Sequence, residues 1–371
     1  MDRIKRYIEC YIPTESCNLR CHYCYITQKR KFNAKLLKLT HSPSEIRRSL
    51  SRERLGGTCL INMCAGGETL LAHDLLDVIY ELLIEGHYVS IVTNGTLTDR
   101  LNEIAAWPGD LLKHVFFKFS FHFLEMKRLG WTDLFFENVH TIKNTCASYT
   151  VEVTPSDELI PYIDELKETC MKYMGTLCHV TIARNVLTNG IDVLSKHSFE
   201  DYKKIWGRFN SELFNYKASI FYKKRKEFCY AGDWSVNLNL ESGRLAQCYH
   251  GKEIDNIYAH PDKPLHFEAI GHACPLAHCY NGHAFLALGI IPELGAPTYA
   301  EERNRLCPDG SEWLKPEMKA FMSSKLYESN SEYTALKKAF ADIKQRVSIK
   351  QLRKTKAYNW FRKVKYKLIR T

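Results

Sequence analysis

The chain has 371 residues, of which 45% are apolar, and it contains ordinary numbers of glycine (19) and proline (12). These values predict a globular protein with a substantial core and two to three domains, and they exclude a low-complexity chain. The net charge is +10, but residues 337–371 hold thirteen Lys or Arg against one acid and carry +12. The rest of the chain is therefore close to neutral, and the basic character belongs to the C-terminal segment.

No stretch approaches the roughly 18 uninterrupted apolar residues of a membrane span, and no apolar signal core precedes the first strand pattern. We therefore expect neither a membrane span nor an export signal, and a cytoplasmic location. In a reducing cytoplasm the 14 cysteines favour metal ligation over disulfides.

Six strand-like runs alternate with helical patterns up to about residue 215, which predicts consecutive βα units and a parallel sheet. The runs are Arg6 to Pro13, Thr58 to Ala65, Tyr88 to Thr93, His114 to His122, Tyr149 to Pro155 and Cys178 to Arg184. Ser42, Pro43 and Glu45 predict a capped helix start after the first run. In barrels built this way the chemistry lies at the carboxyl ends of the strands.

Cys17, Cys21 and Cys24 follow the first predicted strand with the spacing Cys-x3-Cys-x2-Cys. Three thiolates on one short loop can hold three corners of a 4Fe–4S cluster and leave the fourth iron open to a small molecule. The alternatives are incidental thiols or a zinc site, although structural zinc usually takes four ligands from paired arms.

This cysteine spacing resembles that of the radical S-adenosylmethionine (SAM) superfamily. The resemblance implies that SAM chelates the open iron and that reduction of the cluster yields a 5′-deoxyadenosyl radical, which abstracts a hydrogen atom from the substrate. It also implies an α/β fold, with a partial (β/α)6 TIM-type barrel in residues 1–215. Tyr23 matches the aromatic position whose backbone meets the adenine.

Gly66, Gly67 and Glu68 end the second predicted strand and resemble the Gly-Gly-Glu motif that binds the amino group of SAM. The glycines would let backbone carbonyls approach a ligand, and Glu68 would accept hydrogen bonds from an ammonium group. A strand–turn–helix junction that needs glycine is the structural alternative.

The later strands also end in polar residues. Further candidates for SAM binding are Asn94, Ser120, His122, Thr154 and Arg184. Ser120 and His122 resemble the polar pair that meets the ribose or carboxylate of SAM, and Arg184 suits a carboxylate of SAM or substrate. Inward-facing polar contacts and a structural ion pair are the alternatives for these residues.

A second set of cysteines lies in residues 216–310, which we predict to be a small domain with a β-hairpin. The set is Cys229, Cys248, Cys274 and Cys279. Four thiolates can saturate an auxiliary 4Fe–4S cluster, and the pattern resembles the SPASM/Twitch extensions of radical SAM proteins. A tetrahedral zinc site is the main alternative, and His272, His278 or His283 would be substitute ligands.

Two other cysteines are candidate hydrogen donors for a redox-neutral epimerisation. Cys64 lies just before the glycine pair, and Cys307 follows the second cysteine set. Burial as small apolar side chains is the ordinary role of such residues.

Residues 311–371 are predicted to be a basic helical extension. Leu336, Phe340, Ile343 and Val347 are spaced for one helical face. A second stripe, Trp360, Val364 and Leu368, lies among Arg362, Lys363, Lys365 and Lys367. This profile is typical of an amphipathic helix on anionic lipid, at the inner face of a membrane. Binding of nucleic acid and a simple solvated tail are the alternatives.

The sequence thus predicts a radical SAM oxidoreductase or epimerase that needs an electron donor such as flavodoxin or ferredoxin. The early start of the barrel leaves no separate N-terminal peptide-recognition domain, which favours a sugar or glycan intermediate as the substrate. The alternatives are a maturase of ribosomal peptides and a non-catalytic sensor that binds an iron–sulfur cluster or zinc.

Overall fold

The computed structural model describes residues 2–188 and 192–348. Its strands are β1 Arg6–Ile12, β2 Cys59–Ala65, β3 Tyr88–Thr93, β4 Val115–Ser120, β5 Ser148–Val153, β6 His179–Val180, β7 Ser235–Asn239, β8 Arg244–Ala246 and β9 Glu253–Asn256. All nine belong to one sheet with the order β6-β5-β4-β3-β2-β1-β7-β8-β9. The strands from β1 to β6 pair in parallel, which confirms the six predicted strands and the partial-barrel fold, and the sheet stays open.

Helices connect the parallel strands, and three further helices follow the last strand. They are α1 Tyr25–Lys29, α2 Pro43–Ser49, α3 Arg52–Leu55, α4 Leu75–Ile84, α5 Thr98–Ala105, α6 Gly109–Leu112, α7 Phe123–Leu129, α8 Thr132–Lys143, α9 Ile163–Met174, α10 Phe199–Gly207, α11 Glu212–Ile220, α12 Gly282–Phe285, α13 Tyr299–Arg303 and α14 Pro316–Ser323. Residues 335–348 are also helical. At the start of α2, Ser42 and Glu45 form the predicted capping box with Pro43 in the first turn.

The strands are buried on both faces, as a parallel sheet covered by helices requires. In β1 only Tyr11 is partly exposed, and in β2 only Cys64 is. The larger core lies between the sheet and the outer helices, where α4 and α8 contribute their apolar faces. This layer fixes the positions of the strand ends.

A second core closes the amino end of the barrel. Near the strand starts, the inward side chains of Tyr7 and Tyr88 join α12 and α14 in this core. The Tyr88 ring stacks on Phe321 with the centroids 3.6 Å apart, and Tyr7 meets Phe285 edge-on at 5.6 Å. The interior is therefore closed at the amino end, while the cavities described below lie at the carboxyl ends of the strands.

Two segments differ from the predicted domain layout. The hairpin begins with β7, which pairs in parallel with β1, so the hairpin extends the barrel sheet. Residues 311–328 pack into the body because Trp313 and α14 are buried against the barrel. Apolar residues at these positions gain more from covering the open barrel end than from exposure in an extension.

In the part of the chain that the structure describes, no helix combines the length and the apolar character that crossing a bilayer requires.

We predict that Phe321→Ala lowers the free energy of unfolding by about 3–5 kcal/mol, because it leaves a cavity beneath Tyr88 at the closed barrel end. Chemical denaturation followed by tryptophan fluorescence measures the effect. The control is Leu336→Ala, at a side chain that is 70% exposed, with an expected change within about 0.5 kcal/mol. Equal effects of the two substitutions would contradict the closing role of α14.

Candidate active site

The three cysteines of the first loop lie at the carboxyl ends of β1–β4, around one cavity of about 180 Å³. Its lining includes the predicted residues Cys17, Cys21, Cys24, Gly66, Gly67, Glu68, Asn94, Ser120 and His122. These residues come from the ends of four successive strands. This agrees with the usual location of active sites in such barrels, at the carboxyl ends of the strands. The first cysteine set and most of the predicted SAM-binding residues are thus brought together.

Asn94 at the end of β3 holds the cysteine loop in place. Its side-chain amide donates to Asn18 Oδ1 at 2.8 Å, and Cys17 Sγ is 4.0 Å from the same nitrogen. Its carbonyl oxygen accepts from Thr96, which also receives a hydrogen bond from Asn18. In the structure, Asn94 positions the residues around Cys17 and also lines the cavity.

Packing against the cysteine loop requires glycine at positions 66 and 67. A Cβ atom on Gly67 would overlap the carbonyl oxygen of Ser16, and one on Gly66 would overlap that of Thr14. The two loops approach closely because Gly66 N–H donates to Ile12 O at 3.1 Å and Glu68 N–H to Ser16 O at 2.9 Å. The glycine pair therefore holds the cysteine loop against the end of β2.

The Glu68 carboxylate joins the ends of β2 and β3. Oε1 accepts from the Thr93 hydroxyl at 2.7 Å and from Leu70 N–H at 3.0 Å, and Oε2 accepts from Asn94 N–H at 2.7 Å. Burial raises the pKa of Glu68, while these three donors oppose that rise. Oε2 retains acceptor capacity for one further donor, such as an ammonium group.

Tyr23 and His122 form a pair beside the cavity. The distance between the Tyr23 hydroxyl and His122 Nδ1 is 2.6 Å. Burial lowers the pKa of His122 to about 4, so the ring is neutral at ordinary pH. When Tyr23 donates this bond, Nε2 carries the proton and can donate to a ligand.

The cysteines of the first loop are neutral thiols without a metal. Burial raises the pKa of Cys17 to about 11, and it also raises the pKa values of Cys21 and Cys24. Thiolates at these positions need a compensating cation, and metal ions supply one.

A second cavity, of about 330 Å³, continues from the first into the barrel. The two share lining residues that include Cys24, Cys64, Ser120 and His122. Tyr23, Thr154 and Arg184 line the second cavity rather than the first. Arg184 donates to the Tyr280 carbonyl oxygen at 3.1 Å.

The polar interior of this second cavity was missed in the sequence. Besides Arg184, its charged and amide residues are Glu9, Gln28, Asn62, Lys118, Glu152, Lys217 and Asn281. The sequence feature that could have revealed it is the presence of charged side chains within otherwise apolar strands, because buried parallel strands seldom contain charged residues.

The second cysteine set surrounds a narrow cavity of about 30 Å³ behind the barrel. Cys229, Cys248, Cys274 and Cys279 all line it. Burial raises the pKa of Cys248 to about 11 and that of Cys279 to about 12. This arrangement brings the four predicted ligands together.

The three histidines proposed as substitute ligands lie outside the lining of the narrow cavity. His272 Nδ1 is 2.8 Å from Asp342, His278 packs on Phe221, and His283 lines the second cavity. Among residues 2–188 and 192–348, no three His, Cys, Asp or Glu side chains converge closely enough to hold a single metal ion.

The two candidate hydrogen donors lie in different places. Cys64 lines both the first and the second cavity, and burial raises its pKa to about 12, so the thiol keeps its proton. Cys307 is buried in the larger core, where its Sγ lies 3.6 Å from the Met174 carbonyl oxygen, and it lines neither cavity. The structure therefore does not bring Cys307 to the site, because its neighbours are apolar core residues.

Residues 11–117, from β1 into β4, match the family model of the Radical SAM superfamily. This stretch of the barrel is therefore similar to radical SAM domains. The search of the curated proteins found no match.

Solved structures with similarity to this chain include SuiB of Streptococcus suis bound to S-adenosylmethionine. That comparison has 14% identity, covers 71% of this chain and 67% of that chain, and has a TM-score of 0.45. Native anSMEcpe with bound AdoMet and Cp18Cys peptide has 14% identity, with 70% and 79% covered and a TM-score of 0.47.

We predict that Gly67→Ala destabilises the protein by about 1–3 kcal/mol and lowers its capacity to take up iron, because the new methyl group displaces Ser16 and the cysteine loop. Iron per chain after anaerobic reconstitution measures the second effect, and we expect roughly half of the wild-type value. Gly207→Ala is the matched control, since a Cβ there has no neighbour within 4 Å. Wild-type iron uptake by Gly67→Ala would contradict the packing role.

Proposed function

We propose that the protein is a radical SAM enzyme that cleaves S-adenosylmethionine reductively and abstracts a hydrogen atom from a substrate C–H bond. The observation that carries the proposal is the cavity lined by three cysteines of one loop, the Gly66–Glu68 motif and His122. It opens into a second, polar cavity with room for a substrate.

The donor set fits a cluster with one open iron. Cys17, Cys21 and Cys24 would hold three irons, and the remaining iron would be free for SAM. A reduced 4Fe–4S cluster supplies the electron that converts SAM into methionine and the 5′-deoxyadenosyl radical. The residues of the chain would bind and orient SAM: Glu68 Oε2 would accept from its amino group, and His122 Nε2 would donate to its ribose or carboxylate.

The other predicted contacts support the same arrangement. The Tyr23 backbone would meet the adenine, with the Tyr23 side chain fixed by His122. Three of the predicted residues line the second cavity: Ser120, Thr154 and Arg184. From there they can reach the ribose or the carboxylate of SAM, or the substrate. Asn94 would hold the cysteine loop in position for SAM binding.

The substrate would occupy the second cavity, whose volume of about 330 Å³ suits a monosaccharide unit or one amino-acid side chain. We propose a sugar or glycan intermediate, with a peptide as the alternative. Both substrates fit a lining that combines apolar surface with several polar and charged groups, and a substrate-dependent rise in nucleoside formation would distinguish them.

The second cysteine set would hold an auxiliary cluster that takes an electron from the substrate. Tyr249 and Asn281 line both the narrow cavity and the second cavity, so the thiols lie next to the substrate space. Oxidation would break the C–H bond, move the hydrogen atom to the 5′ carbon, release a proton and pass one electron to this cluster. An external donor such as flavodoxin or ferredoxin would supply the electron for SAM cleavage.

A redox-neutral epimerisation would need a hydrogen atom returned to the substrate radical. Cys64 is the residue we assign to this role, because its protonated thiol lines both cavities. The resulting thiyl radical would be reduced by one electron and one proton from the external donor.

We predict that the anaerobically reconstituted protein holds about eight irons and releases 5′-deoxyadenosine from SAM in the presence of a reductant. Cys17→Ala should lose about half of the iron and all nucleoside release. Cys279→Ala should also lose about half of the iron but retain nucleoside release. Chromatography of the products and iron analysis measure these outcomes.

Cys146→Ala is the matched control, because Cys146 is exposed and lines none of the three cavities. Nucleoside release by Cys17→Ala would overturn the assignment. Iron and SAM binding without any nucleoside release in the wild type would favour the non-catalytic sensor. Bound zinc in place of half of the iron would remove the auxiliary cluster.

We also propose that the C-terminal helix contacts an anionic membrane surface. In the helix at residues 335–348, Ala341 and Gln345 are buried on the body. Four large apolar residues on the other side are about half exposed or more: Leu336, Phe340, Ile343 and Val347. The +12 charge of residues 337–371 suits anionic lipid. The second predicted stripe, from Trp360 to Leu368, lies outside the described residues, and nucleic acid stays the alternative partner.

We predict that the full chain binds vesicles containing phosphatidylserine and that a Phe340→Ser, Ile343→Ser double variant binds them at least about tenfold more weakly. Vesicle co-sedimentation measures this. Leu187→Ser is the control, at a side chain that is 72% exposed elsewhere on the surface. Equal binding by all three proteins would contradict the proposal, and binding of RNA in place of vesicles would favour the alternative.

A further inference from the structure

Three cations line the second cavity: Lys118 on β4, Arg184 after β6 and Lys217 on α11. Lys118 lies deeper in the barrel than Ser120, two residues further from the open end of the same strand. The Lys217 Nζ donates to the Thr181 hydroxyl beyond the end of β6. Positive groups therefore reach this cavity from separate elements of the fold.

The acids that line the same cavity are already satisfied. Glu9 accepts hydrogen bonds from Tyr7 at 2.5 Å, Asn62 at 2.8 Å and Asn281 at 2.9 Å. Glu152 forms an ion pair with the fully buried guanidinium of Arg303. Neither carboxylate pairs directly with one of the three cations.

The partners of the three cations are neutral. The nearest acceptor of Lys118 Nζ is Asn62 Oδ1 at 3.4 Å, and Arg184 donates to a backbone carbonyl. Within the described residues, Lys118, Arg184 and Lys217 form no ion pair. Buried cations that have no directly bonded carboxylate are costly, and a bound anion lowers that cost.

We propose that Lys118 and Lys217 bind an anionic group of the substrate, a carboxylate or a phosphate, in the second cavity. The inference rests on the proposed function, because it takes this cavity to be the substrate site. Arg184 stays at the rim, where it suits the carboxylate of SAM. The anchored group would fix the substrate so that its reactive carbon faces the first cavity.

The electrostatics of Lys217 agree with this role. Burial, and next the charge of Arg184, lower the pKa of Lys217 to about 7. Lys118 and Arg303 also lower it, Glu152 raises it, and His283 faces the same cluster of cations. The unliganded lysine therefore loses its proton as the pH rises above about 7, which removes one positive charge. Anion binding should accordingly weaken above that pH.

The test is calorimetric titration of the reconstituted holoenzyme with inorganic phosphate and, separately, with malonate, at constant ionic strength and with saturating SAM. We expect one of these anions to bind, and both Lys118→Met and Lys217→Met to weaken its binding at least about tenfold. Phosphate binding would indicate a phosphorylated substrate, and malonate binding a carboxylated one. Lys204→Met is the matched control, since its side chain is 79% exposed on α10.

Iron content and circular dichroism establish that each variant is folded, and Lys217→Arg, which keeps the charge, should restore binding. Competition between the anion and SAM would assign the lysines to the SAM carboxylate and overturn the proposal. Absence of binding by the wild type would do the same. Nucleoside release without anion binding would remove only the subsite, whereas anion binding without nucleoside release would remove only the proposed chemistry.

Discussion

The site depends on one close contact between two loops, the one that follows β1 and the one that follows β2. Backbone hydrogen bonds from Gly66 and Glu68 to the β1 loop bring the chains so near that Gly66 and Gly67 cannot carry side chains. The Glu68 carboxylate extends the junction to the end of β3. The cysteine loop, a short segment that carries three candidate ligands, thus takes its position from the ends of two neighbouring strands.

The two ends of the barrel have opposite characters. The amino end is filled by aromatic residues of the strands, of α12 and of α14, with Tyr88 stacked on Phe321. The middle layer is polar, where Glu9, Asn62 and Ser90 form a hydrogen-bonded row across three strands. Apolar side chains fill the amino end of the barrel, and polar and charged side chains line the other part of the interior. The interior is therefore open at the carboxyl ends of the strands.

Much of this was readable in the sequence because the signals were local. The alternation of strands and helices, the capping box of α2 and the spacing of Cys17, Cys21 and Cys24 each depend on a few neighbouring residues. The coincidence of polar residues with strand ends followed from the handedness and direction of parallel units. The parallel strands and the capped helix agree with the prediction, and the three cysteines line one cavity.

The remainder depends on contacts between distant segments, which the sequence pattern does not encode. Pairing of β7 with β1 joins residues more than two hundred positions apart, so the hairpin appeared to be a separate unit. Trp313 reads as part of a basic extension until its burial is known, and Cys307 reads as a candidate for chemistry until its apolar surroundings are known. The role of the Lys217 charge can be inferred only once the side chains that other elements place around it are known.

Asn281 connects the cavity around the four thiols with the polar interior of the barrel. Its amide holds Glu9 in the barrel, while its own segment directly follows Cys279 and lines the thiol cavity. The chain around the four thiols and the polar layer of the barrel consequently cannot relax independently. A displacement of the segment that carries Cys279 would therefore shift the Glu9 carboxylate at the centre of the sheet, so the shape of the barrel interior depends on the shape of the cavity around the four thiols.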